Sequence, residues 1–78
     1  MKYSVVIEKI SDDTLPEGYY YAFIPALDLT TQGLGIDGAK AAAKDLLELW
    51  IAEKKANGEK VPEESESFFS QLEVAHAV

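Results

Sequence analysis

The stretch from Ile36 to Ala56 constrains the fold more than any other part of the chain, because it lacks proline and is rich in strong helix formers. Its apolar residues recur at spacings of three and four, which predicts a helix with a single apolar stripe laid on a sheet. Asn57 and Gly58 follow and favour a left-handed stop. The predicted stripe consists of Ile36, Ala39, Ala43, Leu46, Leu47, Trp50 and Ile51.

The remaining chain supplies the strands of that sheet. Residues 2–10 and 19–24 alternate with period two, and turn residues join them. A shorter third strand is predicted in "LDLTTQ", ended by Gly33, and a fourth in Leu72–Ala77. We therefore predict one α+β domain over residues 1–78, in the order β-β-β-α-β, with a four-stranded sheet and one long helix packed on one face.

Charge and composition restrict the chemistry. Seven Lys and Arg against fourteen Asp and Glu give a net charge of −7, which argues against binding a nucleic-acid backbone and favours a basic protein partner. The alternative is that the acidity only provides solubility. Without cysteine and with a single histidine, thiolate and histidine metal sites are not expected. We expect no cofactor, no metal and no catalytic site.

The location follows from the absence of targeting signals. No apolar run approaches the roughly 20 residues that a membrane-spanning helix needs. In the N-terminal stretch "MKYSVVIEKI" the apolar segment is too short for a signal peptide, and the charged residues Glu8 and Lys9 follow it directly. A cytoplasmic protein without membrane contact is the expectation.

Three consecutive tyrosines stand in the second strand, so they fall on both faces of it. One helix covers only one sheet face, so the other face contacts solvent. Tyrosine suits such a partly solvated surface because its ring is apolar and its hydroxyl is polar. Either Tyr20, Ala22 and Ile24 or Tyr19, Tyr21 and Phe23 form the exposed set, and Pro25 marks the strand end. The alternative is that tyrosines merely suit strands. The predicted partner-binding residues are Tyr19, Tyr20, Tyr21, Ile24 and Asp28.

A nuclease would need carboxylates that converge to bind Mg²⁺. The candidates in this sequence are Glu8, Asp28, Asp45 and Glu48. Nothing in their spacing requires them to converge, and solvated surface charges are the preferred interpretation.

A series of short motifs occurs along the chain in a defined order. The chain opens with the strand "KYSVVIEK" at residues 2–9. The motifs that follow are a Gly-Tyr-Tyr-Ala element before a proline (Gly18, Tyr19, Tyr20 or Tyr21, Ala22, Pro25), the pair Gln32-Gly33, an early helical alanine (Ala39), and a Gly-x-x-x-Pro close (Gly58, Pro62).

In these motifs the chain resembles the HicB-like antitoxins, a family with a degenerate ribonuclease H-like fold. The motifs that carry the resemblance fall within residues 1–64, and the resemblance implies a single HicB-like domain over residues 1–78. Two elements depart from the family pattern, because "ALDLTT" replaces a Pro-Gly-Cys-like turn and "GIDGAK" replaces a threonine with paired acids at the helix start. The DNA-binding segment of many family members has no counterpart here, so no direct nucleic-acid binding is expected.

The resemblance implies an antitoxin that sequesters a small, basic, mRNA-cleaving toxin of the HicA type by covering its RNA-binding face and its catalytic histidine. A stand-alone oligomeric scaffold is the first alternative and a metal-dependent nuclease the second. The third strand carries no lysine or proline to protect an edge. We therefore also expect a homodimer or a tetramer.

Overall fold

The computed structural model describes residues 2–11, 13, 15–62, 64 and 70–75. Three strands form an antiparallel sheet in the order β1-β2-β3: β1 is Val6–Lys9, β2 is Tyr19–Ile24 and β3 is Leu29–Leu34. β2 is central and pairs with both neighbours, with Tyr21 opposite Glu8 on one side and opposite Gln32 on the other. The first three predicted strands are present, but β1 is shorter than predicted, and β3 continues through Gly33, which was expected to end it, to Leu34.

The connection between β2 and β3 explains the proline that follows the tyrosine strand. Pro25–Leu27 forms a 3-10 turn, and Asp28 closes it with a left-handed backbone, φ 53°. The Asp28 N–H donates to the Pro25 carbonyl at 3.3 Å. Because proline has no N–H and a fixed φ, it ends the strand and starts the turn.

The helix, α1, spans Gly35–Ala56 and follows β3 without a loop. Gly35 makes the change of direction with a φ of 72°, and its N–H donates to the Gly18 carbonyl at 2.8 Å. At the other end Gly58 is left-handed, with its N–H bonded to Lys55 and that of Glu59 bonded to Lys54. These two bonds close the helix in the way that the Asn57-Gly58 pair predicts.

The core lies between α1 and one face of the sheet. Ala22 and Ile24 of β2 meet Ala39 and Ala43 of α1, and all four are buried. The small alanines allow a close approach, so the core is thin. Partly buried side chains surround it: Tyr3, Val5, Ile7, Tyr20, Leu27, Leu29 and Leu47. The structure therefore shows an α+β architecture with the helix on one sheet face.

The helix and the sheet are in backbone contact at two glycines. A Cβ atom on Gly33 would lie 2.6 Å from the backbone nitrogen of Ala39 and closer still to the carbonyl of Gly38. No other residue fits at position 33 without displacing the first turn of α1. This contact fixes which side of that turn faces β3.

Of the seven predicted stripe residues, Ala39 and Ala43 are buried and Leu47 packs against them. The other four lie outside this core: Ile36, Leu46, Trp50 and Ile51. Ile36 is 54% exposed, because Gly38 faces β3 and residues two apart point in directions about 200° apart around a helix. Trp50 is half-buried rather than core, with the Lys54 ammonium 5.3 Å from its ring centroid. The prediction that Ile36 belongs to the buried stripe is wrong.

The predicted fourth strand is not shown. Of Leu72–Ala77, residues 72–75 have no strand structure and are exposed, while residues 76 and 77 lie outside the described residues. Tyr3 and Ser4 nevertheless hold the segment after the helix beside the start of β1. The Tyr3 hydroxyl donates to the Pro62 carbonyl at 2.6 Å, and the Ser4 N–H and hydroxyl both donate to the Glu64 carboxylate.

Within the described residues, no helix has the length and apolar character that a membrane crossing requires.

Candidate functional site

The sheet face that the helix does not cover is the candidate site, and we call it the uncovered face. Ala22 and Ile24 are fully buried under α1. Since side chains alternate along a strand, Tyr19, Tyr21 and Phe23 point to the opposite side. This settles which of the two possible sets of β2 side chains faces outward. The residues of the uncovered face are Val6, Glu8, Tyr19, Tyr21, Phe23, Thr30, Gln32 and Leu34.

The aromatic row along β2 is held between the flanking strands. Phe23 lies opposite Val6 and Thr30, and Tyr19 lies opposite Leu34. The three aromatic rings are half-buried by these neighbours, while Leu34 remains 64% exposed. A contiguous apolar surface of this kind on a small domain is typical of a contact site for another protein.

The polar residues of the uncovered face lie on the two outer strands, on either side of the aromatic row of β2. Glu8 and Gln32 flank Tyr21 on either side and are exposed. Thr30 is exposed as well, and the hydroxyl groups of two tyrosines add polar tips to an otherwise apolar surface. Protein interfaces commonly have an aromatic centre and a polar rim, and the uncovered face has the same arrangement.

The five predicted partner-binding residues do not form one surface. Tyr19 and Tyr21 lie on the uncovered face. Tyr20 lies on the helix side, where it packs against the core and stays half-buried, as Tyr19 and Tyr21 are on theirs. Ile24 is fully buried beneath α1. Asp28 is exposed at the corner between the 3-10 turn and β3.

Of the eight face residues, sequence reasoning included only Tyr19 and Tyr21 among the partner-binding residues; the apolar members that it left out are Val6, Phe23 and Leu34. Phe23 has the same strand phase as Tyr21, so the period-two pattern already linked them. For Leu34 the signal was the alternation of Thr30, Gln32 and Leu34 along β3. To select these residues as partner-binding, it is necessary to know which sheet face the helix covers.

The four carboxylates considered for a metal cluster are separated by the sheet. Glu8 lies on the uncovered face, whereas Asp45 and Glu48 are exposed on α1, which covers the other face. Among the described residues no group of three or more His, Cys, Asp or Glu side chains is arranged to hold a metal ion.

A second surface lies beside the outer edge of β1. It is a mainly apolar groove of about 330 Å³ between α1 and the residues that lead into β1, and we call it the β1 groove. Tyr3 and Val5 form one wall, and Ala43 and Leu47 form the other. Lys40 and Lys44 also line it. The groove shows that α1 covers this side of the sheet incompletely.

Comparison with known proteins finds no matching family model, no matching curated protein and no matching solved structure. The resemblance to HicB-like antitoxins therefore rests on the motifs of the sequence.

Proposed function

We propose that this chain is a protein-binding module of the antitoxin type, which sequesters a small, basic, HicA-like mRNA-cleaving toxin. One observation carries the proposal: a chain with a net charge of −7 presents an aromatic sheet face that its own helix leaves uncovered. The HicB-like motifs support the choice of a toxin over other basic partners.

The proposed mechanism is occlusion. A surface that binds RNA carries Lys and Arg, and the same groups suit an acidic, aromatic partner. Tyr21 would form the centre of the contact, with Tyr19 and Phe23 beside it, because aromatic residues dominate the binding energy of such interfaces. Glu8 stands next to Tyr21 and would pair with a basic group at the rim. Bound in this way, the module covers the toxin's RNA-binding face and its catalytic histidine.

The proposal places the complex in the cytoplasm, where the toxin meets mRNA, and assigns this chain no cofactor, no catalytic step and no direct contact with nucleic acid. Self-association into a homodimer or tetramer is part of the proposal.

We further propose that Leu72–Ala77 pairs with β1 as a fourth strand. The bonds from Tyr3 and Ser4 bring the chain after α1 to the start of β1. Leu72 and Val74 are 88% and 77% exposed, and they share one strand face that would cover the β1 groove.

Amide exchange tests the fourth strand. The Ile10 N–H donates to the Tyr19 carbonyl, so the alternate residues Ile7 and Lys9 direct their N–H groups away from β2. Slow exchange of both amides is expected if the fourth strand forms. Fast exchange of both would contradict it.

Coexpression with the adjacent reading frame tests the function. We expect a small basic protein to copurify and its affinity to fall as salt rises. Tyr21→Ala should weaken the complex by about 1–3 kcal/mol. Leu49→Ala is the matched control, since it removes a side chain that is 69% exposed on the helix. Equal affinities for both variants and the wild type would refute the proposed face.

The stand-alone oligomeric scaffold remains a second candidate, because the outer edge of β3 can pair with a strand of another copy. In that case no neighbouring toxin is bound, and the chain associates only with itself.

A further inference from the structure

The outer edge of β3 is open along the part of the chain that the structure describes. β3 pairs with β2 on one side, and no described strand pairs with its other side. An open edge presents main-chain N–H and C=O groups that can bond to another strand.

The main-chain groups that face this edge can be identified. The Gly35 N–H donates to the Gly18 carbonyl, and these residues continue the β2–β3 register. In an antiparallel ladder, hydrogen-bonded and non-bonded pairs alternate. Thr31 and Gly33 therefore direct their N–H and C=O groups to β2. Thr30 and Gln32 direct theirs to the open edge, and Leu34 directs its N–H there, whereas the Leu34 C=O accepts the first hydrogen bond of α1 as its N-cap.

This edge also has none of the usual protection. From Leu29 to Ile36 the sequence contains no charged residue and no proline, whereas β1 carries Glu8 and Lys9. Charged side chains and prolines are the features that normally keep edges from pairing. For a chain of net charge −7, an uncharged strand allows two copies to meet without placing like charges together.

We propose that β3 pairs antiparallel with β3 of a second copy, across a two-fold axis at Gln32. This register places Gln32 opposite Gln32 and Thr30 opposite Leu34 of the second copy. It uses all three outward-facing residues and forms roughly four main-chain hydrogen bonds, two between the Gln32 residues and one in each Thr30–Leu34 pair, because the Leu34 C=O belongs to the first turn of α1. The inference rests on the self-association in the proposed function and specifies its strand and register, and it requires no toxin.

Other registers use the strand less well. Registers that oppose even-numbered with odd-numbered residues fail, because odd-numbered residues of β3 already bond to β2. An axis at Thr31 would pair Leu34 with Asp28, whose left-handed backbone lies outside the strand. The Gln32 register also brings the exposed Leu34 side chain against the Thr30 methyl group of the second copy. The sheets then join into one, and the two uncovered faces become continuous.

Charge substitutions at the axis test the proposal. Wild-type protein should have a mass of about 17 kDa, twice the 8.6 kDa of one chain, by light scattering at high micromolar concentration. Gln32→Lys and Gln32→Glu each place like charges opposite one another and should weaken the dimer about tenfold or more. A one-to-one mixture of the two variants should restore it. Ala52→Lys, on the exposed side of α1, adds the same charge as Gln32→Lys and should leave the mass unchanged.

Amide exchange gives a second readout that needs no substitution. The amides of Gln32 and Leu34 should exchange more slowly as protein concentration rises, whereas those of Thr31 and Gly33 should not respond. The proposal is overturned if the wild type stays at the monomer mass at all concentrations, or if both Gln32 variants dimerise as well as the wild type. Concentration-independent exchange at Gln32 and Leu34 would overturn it too. Toxin binding is measured separately through Tyr21, so the two proposals can fail independently.

Discussion

Replacing Gly33 by alanine should destabilise the protein strongly. The added Cβ would lie 2.6 Å from the Ala39 nitrogen and closer still to the Gly38 carbonyl, where ordinary contact begins at 3.4 Å. All of these atoms belong to the backbone, so no side chain can rotate out of the way. The first turn of α1 and β3 must separate by about 1 Å to bring the closest of these contacts to that distance, which reduces packing of the adjoining core.

The expected loss is about 3 kcal/mol, the upper end of the usual range for overpacked sites. A domain of this size has a free energy of unfolding of about 4–12 kcal/mol, so the loss is a large fraction of the total. In thermal unfolding followed by circular dichroism, the midpoint should fall by about 12–24 °C.

Gly38→Ala is the matched control, since it adds the same methyl group on the other side of the contact. Its Cβ would lie 3.5 Å from the Gly33 carbonyl carbon, which is ordinary contact. Alanine is a better helix former than glycine, so this variant should gain about 0.5–1 kcal/mol. An unchanged midpoint for Gly33→Ala, or equal losses for the two variants, would refute the backbone contact.

Three further substitutions test other parts of the structure. Ile24→Ala removes the one large side chain that is fully buried among the described residues, and urea unfolding should show a loss of about 2–5 kcal/mol; a loss below about 1 kcal/mol would contradict its burial. Lys54→Ala should lower stability by about 0.5–1 kcal/mol and shift the emission of Trp50, the sole tryptophan, by removing the ammonium over its ring; an unchanged spectrum would count against that contact. Ser4→Ala removes one hydrogen bond to Glu64 and should cost about 0.5–1.5 kcal/mol in urea unfolding, whereas no change would indicate that the bond does not persist in solution.

The helix and the first three strands could be predicted because their signals are local. The apolar spacing predicted a helix from Ile36 to Ala56, and it begins one residue earlier, at Gly35. The Asn57-Gly58 stop followed from backbone preferences of those two residues. Periodicity of this kind depends on neighbouring residues and needs no knowledge of the tertiary contacts.

The orientation of the tyrosine strand could not be predicted in the same way. Period two gives two sets of side chains but does not say which set faces the helix. Both sets contain aromatic and apolar residues, so hydrophobicity does not separate them. The choice is made by size: Ala22 faces Ala39 and Ala43, and these small residues let the helix approach. Tyr21 or Phe23 in that place would hold the layers apart.

The exposure of Ile36 depended on a contact between distant elements. Its spacing from Ala39 and Ala43 is helical, and the stripe alone places it toward the sheet. The Gly33–Gly38 contact sets the rotation of the first turn and leaves Ile36 largely in solvent. Glycine pairs have no side chains to signal such an approach, so the sequence pattern does not reveal it.

The hydrogen bonds of Tyr3 and Ser4 have a consequence for the order of folding. They join residues that are 59 and 60 positions apart, whereas β2, β3 and α1 are consecutive in the chain and joined by short connections. Closing a long loop costs more entropy than closing a short one, so local contacts form first. We expect β2, β3 and α1 to assemble early and the start of β1 to be fixed only when Glu64 reaches it. During synthesis, which proceeds from the N-terminus, Tyr3 and Ser4 are therefore made before β2, β3 and α1 but anchored after them.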